Sequence, residues 1–242
     1  MREPEVLDAD VVVRKRTGAG GGATFVADGT WLHIPATVLD IQSFRQWADT
    51  EAFPEKGNIW WLCGEVWADM SKEQIFTHVV LKGEIFRVLA NLVKDQQLGL
   101  MLADGAFLAN VTADIAGKPD AMFLSAAGLS AGRVRFVAGA ERGYVEVEGA
   151  PDMVLEVVSD SSVGKDAETL LDAYWRAGIP EYWLVDARGD HLKFDIFRHA
   201  PEGYKRTSKR RGWTTSAVFD KSFRLSVTTN KAGRPDYSLD VR

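Results

Sequence analysis

The chain has 242 residues, 46% of them hydrophobic and 26% charged, the balance of a folded globular protein and not of a disordered or fibrous one. Its formal net charge of −5 argues against a dedicated non-specific DNA binder, and its single cysteine, Cys63, excludes an internal disulfide and a multi-cysteine zinc site. No apolar run approaches the ~18 residues of a membrane span, and the acidic start lacks the apolar core of a secretory signal, so a cytoplasmic protein with no membrane partner is expected.

Residues 1–39 read as an N-terminal extension in which Gly18–Gly22 forms a flexible linker, so this end is expected to be poorly ordered or ordered only by a partner. Residues 40–242 read as one domain. Ile41, Phe44, Trp47 and Ala48 recur at helical spacing over 40–53, and Pro54 and Gly57 end that helix. Strands follow at 59–63 and 65–68, joined at Gly64. Ser71 and Gln74 have the capping-box pattern, predicting a helix from about residue 72 to 97 with Ile75, Val79, Phe86, Leu89 and Val93 as its buried stripe. Strands are next expected at 100–102, 106–108 and 119–124, then an irregular stretch, 126–150, with a candidate hairpin of 134–137 and 144–147. Residues 153–158 form an apolar strand, a helix spans 165–177 and closes at Gly178, and strands return at 181–185, 192–197 and beyond 204. The sum is α+β, a mixed central β-sheet flanked by helices.

Charge is unevenly spread. Asp186–Arg242 holds 13 Lys+Arg and 7 Asp+Glu, a net +6, which leaves −11 on the other 185 residues. The densest basic run, 205–213, is either a solvated hairpin turn or a contact to nucleic acid.

Glu156 interrupts an apolar strand, between Leu155 and Val157. A buried carboxylate is costly unless it is paired or metal-bound, so Glu156 sits at a solvent edge, in an ion pair, or on a metal. Asp120 follows Pro119 at the start of another apolar strand, and two such strands side by side bring both carboxylates to one end of a sheet. A hard cation such as Mg²⁺ takes one or two carboxylates, waters and a phosphate. Asp152 also follows a proline, but four residues from Glu156 on an extended strand is about 13 Å, too far to share one ion.

The run Pro151-Asp152-Met153-Val154-Leu155-Glu156-Val157-Val158-Ser159, with Asp166, Tyr174 and Ala177–Asp186 after it, resembles the Uma-type putative restriction endonuclease family. That family is a bacterial branch of the PD-(D/E)xK nuclease superfamily, formerly a domain of unknown function. Gly64-Glu65, His78 and Pro119-Asp120 are similar to it as well, and the likeness covers about residues 40–200. The resemblance implies a restriction-endonuclease-like core and hydrolysis of DNA phosphodiester bonds with Mg²⁺ (or Mn²⁺), Asp120 and Glu156 being the motif carboxylates. It also implies a homodimer, since many nucleases of the superfamily pair. The superfamily's lysine is missing from its usual place, Val158, and from the family's alternative place, Leu170. Lys165, at the start of the same helix, is the candidate substitute, its long stem able to carry the ammonium back to the carboxylates. Otherwise Lys165 faces solvent and the chain is a catalytically degenerate nucleic-acid-binding module. A protein-interaction role is the third reading. Glu65 is either an extra metal ligand or a hairpin-edge acid, His78 either a core histidine or a site residue, and Asp166 a first-turn acid of its helix.

Overall fold

The computed structural model describes residues 5–7, 12–16, 22–27, 30–140, 143–159, 168–189 and 191–242. The first half runs β1 (Glu5–Leu7), β2 (Val12–Arg16), β3 (Ala23–Ala27), β4 (Thr30–Ile34), α1 (Ile41–Ala48), β5 (Asn58–Leu62) and β6 (Glu65–Asp69). A π-helical turn (Ile75–Val80) leads into α2 (Leu81–Asp95), then β7 (Gly99–Ala103), β8 (Phe107–Asn110), β9 (Ile115–Gly117), β10 (Ala121–Ser125) and α3 (Ala126–Ser130). After β11 (Val134–Ala138), β12 (Tyr144–Gly149) and β13 (Met153–Val157) come α4 (Leu170–Arg176), β14 (Glu181–Asp186) and β15 (Lys193–Arg198). The chain ends with β16 (Lys205–Arg206), β17 (Thr214–Ser216), β18 (Lys221–Thr229) and β19 (Pro235–Val241).

Local chemistry explains several of these limits. Asp40 caps α1 by accepting from the Ser43 backbone, and Ser43 returns the bond, a complete capping box. Cys63 and Gly64, with φ of 51° and 85°, give the two left-handed positions that a tight β5–β6 turn needs. The capping box expected at Ser71 and Gln74 does not form. The Ser71 hydroxyl donates instead to Asp69 Oδ1 at 2.6 Å, and the helix begins as a π-turn at Ile75 with no side-chain cap. That wider turn changes the helical phase. Ile75 and Val79, expected in the buried stripe, are 65% and 47% exposed, while His78, Leu81 and Lys82 turn inward.

Six strands form one mixed sheet in the order β16-β15-β14-β13-β10-β7, with β13 and β14 parallel across the α4 connection. Ala121, Phe123, Leu155, Val157 and Trp183 on one face pack under Ile85, Leu89 and Val93 of α2 and under Phe223 and Leu239 of the β17-β18-β19 sheet. The other face, with Met122, Leu124, Val154 and Tyr182, meets Leu170 and Tyr174 of α4 and Trp60, Leu108 and Ile115 of a second sheet. That sheet has the order β11-β12-β8-β9-β5-β6-β2. Its far side carries Trp61, Val66 and Ala109, covered by Ile41, Phe44 and Trp47 of α1 and by Leu32 and Ile34 of β4. Among the described residues before α1, β2 extends the second sheet beside β6, and β4 contributes to its cover. Apart from Gly22, the expected glycine linker lies outside the described residues.

Candidate functional site

Ala121 pairs with Leu155 in the antiparallel β10–β13 ladder, so one step further the register sets Asp120 opposite Glu156. Side chains alternate across a strand, and both acids fall on the face of Met122 and Val154. They are 6% and 2% exposed. Each is held. The Val157 amide donates to Asp120 Oδ2 at 2.6 Å, and the Tyr174 hydroxyl of α4 donates to Glu156 Oε1 at 2.6 Å. The two line a cavity of about 300 Å³ together with Glu55, Asp69, Glu73, Asp104, His78 and Lys118.

The inward phase of the π-turn brings in residues that periodicity did not single out as chemistry. Lys82 Nζ lies 2.9 Å from Glu73, 2.7 Å from Asp104 and 3.3 Å from Asp120. Burial opposes its charge, but the three carboxylates outweigh that and raise its pKa above the ordinary lysine value. His78 Nε2 stands 2.8 Å from the Val157 carbonyl and 3.7 Å from Asp120 Oδ2, and its Nδ1 is 3.2 Å from Glu73 at ion-pair range. Burial disfavours the imidazolium, yet Glu73 and Asp120 raise the His78 pKa above its usual 6.5. Glu73 in turn is held down to about 2, by His78 first and then Lys82, against some burial. A charge inside an apolar helical stripe was the available signal for Lys82; nothing local marked Glu73, Asp104 or Lys118.

Among the sequence candidates, Asp120, Glu156 and His78 come together in the cavity. Glu65 does not. It opens β6 opposite Leu62, whereas Asp69, at the other end of that strand, lines the cavity. Lys165 and Asp166 lie outside the described residues. Val158 and Leu170 are 3% and 0% exposed and carry no charge. Asp152 accepts from the Ser125 amide at 2.7 Å and pairs with Arg133, apart from the cavity. In the basic run, Arg211 and Gly212 form a turn closed by the Arg210–Trp213 bridge, and Lys209 pairs with Asp195 at 2.8 Å.

Two neighbouring carboxylates offer the hard oxygen donors that Mg²⁺ and Mn²⁺ prefer. Among the described residues no group of three or more His, Cys, Asp or Glu is placed to hold a metal ion. Asp120 and Glu156, on the wall of one cavity, could supply two oxygen ligands to such a cation. Among the described residues no helix is long and apolar enough to cross a membrane.

The family model of Uma2, described as "Putative restriction endonuclease", matches residues 41–228. Among solved structures, the chain is similar to a putative nuclease belonging to DUF820 from Anabaena variabilis ATCC 29413, with a TM-score of 0.51 and 15% identity over 67% of this chain and 83% of that one. At that identity the likeness is one of fold, and it agrees with the mixed α+β core. A search of curated proteins found no match.

Proposed function

Because the chain belongs to the Uma2 putative restriction endonuclease family, we propose that its cleft hydrolyses phosphodiester bonds of DNA with Mg²⁺ (or Mn²⁺) held by Asp120 and Glu156. The observation that carries this reading is the pair itself: two buried carboxylates, opposite each other on adjacent strands, lining one acid-rich cavity. The ion, when bound, supplies Lewis acidity toward a phosphate oxygen and lowers the pKa of a bound water. The protein's part is orientation. Tyr174 fixes Glu156, and the Val157 amide and Lys82 fix Asp120, so neither carboxylate rotates away from a shared ligand. Lys165 is proposed to orient the attacking water. The water oxygen forms the new P–O bond, the bond to the leaving oxygen breaks, and the water's proton passes to that oxygen or to solvent.

DNA is the proposed partner, with the basic C-terminal side toward its backbone. Arg210 and Arg211 are exposed there, and Arg224 and Arg242 stack at 4.9 Å and 4.1 Å over the Trp213 ring. A homodimer is proposed because many nucleases of the superfamily pair. Val158 and Leu170 favour a second reading, a binding module that keeps the fold without turnover, because both usual lysine positions are apolar and buried.

Plasmid and single-stranded DNA incubated with Mg²⁺ or Mn²⁺ separate the two readings. Cleavage by the wild type, lost in Glu156→Ala and Lys165→Ala, supports the enzyme. A folded, monodisperse wild type that cuts nothing but binds DNA in a salt-dependent way supports the module.

A further inference from the structure

Building on the phosphodiesterase reading, we propose that Lys118 contacts the bound strand, its ammonium holding a non-bridging oxygen of the phosphate that lies against Asp120 and Glu156. Lys118 stands between Gly117, the last residue of β9, and Pro119. A residue ahead of proline is steered to extended backbone, and along an extended chain side chains two apart share a face. Lys118 and Asp120 accordingly line the same cavity. The approach is firmly anchored. A Cβ on Gly117 would stand 2.2 Å from the Trp60 ring, which is 1% exposed, so β9 presses its backbone onto a buried indole just before Lys118.

The neighbouring cations are committed elsewhere. Lys82 is enclosed by Glu73, Asp104 and Asp120, and His78 is bonded to the Val157 carbonyl. Among the described residues no carboxylate lies within the 4.0 Å of an ion pair from the Lys118 ammonium, which stands 5.8 Å from the centre of the Phe53 ring. Lys118 also lines an adjoining hollow with Phe53, Phe107 and Val145. It thus occupies the wall between the acidic cavity and that hollow, where a strand crossing from one to the other would pass it. An ammonium is a compact charge with three rotatable donors, suited to a phosphate oxygen whose charge grows as water attacks.

The test compares full-length wild type, Lys118→Ala, Lys118→Gln and Glu156→Ala on a fluorescein-labelled DNA oligonucleotide. Binding is measured with Ca²⁺ across a range of salt, cleavage with Mg²⁺ under single turnover, and Mn²⁺ affinity by calorimetry without DNA. Both Lys118 variants should weaken DNA binding and flatten the slope of log affinity against log salt by about 0.7–0.9, one lost phosphate contact. The cleavage rate should fall by about 10²–10³-fold, with Mn²⁺ affinity unchanged. An unchanged salt slope in both folded variants overturns the proposal, whether or not the wild type cleaves. Absence of cleavage by the wild type, with Mn²⁺ bound equally by Glu156→Ala, counts instead against the phosphodiesterase reading, and the salt slope still decides the Lys118 contact.

Discussion

His78 and Glu73 hold each other's charge beside Asp120, and the two titrations bracket a pH window. The His78 pKa is raised above 6.5, so its contribution to stability is complete below 6.5 and is lost as pH rises through the raised value. Glu73 is lowered from 4.5 to about 2, so its contribution is present above 4.5 and is lost as pH falls toward 2. Replacing Glu73 by Gln in metal-free protein should therefore cost most stability between pH 4.5 and 6.5, modestly because the Glu73 side chain is 47% exposed. It should also lower the His78 midpoint read from ring NMR shifts; a midpoint that does not move contradicts the coupling. Tyr174→Phe keeps the ring against Tyr182, 5.3 Å away between centroids, and removes one donor to buried Glu156. Leaving that acceptor short should cost about 1–3 kcal/mol in urea unfolding, and a loss below ~0.5 kcal/mol would show the bond to be dispensable.

Among the elements, β9 and the π-turn do most to shape the site. β9 is three residues long, all buried, wedged between β5 and β8. Gly117→Ala has no room for its methyl without moving the Trp60 ring, and overpacking of this kind costs about 1–3 kcal/mol. Because Lys118 and Asp120 follow at once, the same substitution should lower Mn²⁺ affinity measured by calorimetry. Stability and affinity both equal to wild type would mean that β9 yields freely. The π-turn shows why helical periodicity misplaced Ile75 and Val79. Irregular turns of this kind recur at functional sites, and here the altered phase points His78 and Lys82 at the carboxylates.

On the scale of the whole molecule, four layers stack around two sheets, and β4, with the residues that lead from it into α1, belongs to the outermost of them. Leu32, Ile34 and Val38 are essentially unexposed against Phe44 and Trp61. Deleting residues 1–39 would uncover that apolar face of α1 and the second sheet. The shortened chain should melt at lower temperature and aggregate on heating, as followed by calorimetry and light scattering; a truncated chain that melts like the full one would make the extension a passive appendage. The +6 of Asp186–Arg242 against −11 elsewhere predicts that any DNA contact weakens steeply with salt.

The sequence by itself determined most strands, because alternation and short apolar runs are local signals: β13, β14 and the β11–β12 hairpin fall where their patterns put them. It also singled out Asp120 and Glu156, since an acid at the edge or inside of an apolar strand is conspicuous in one dimension. It could not distinguish Glu65 from Asp69, which stand at opposite ends of β6, because strand order alone decides which end meets the cleft. Nor could it gather Glu73, Lys82, Asp104 and Lys118, which come from a loop, a helix, a turn and the link between β9 and β10. Their meeting depends on how α2 docks across the six-stranded sheet and on the register of β10 with β13. Packing energy spread over many distant residues sets both, and only the tertiary structure expresses it.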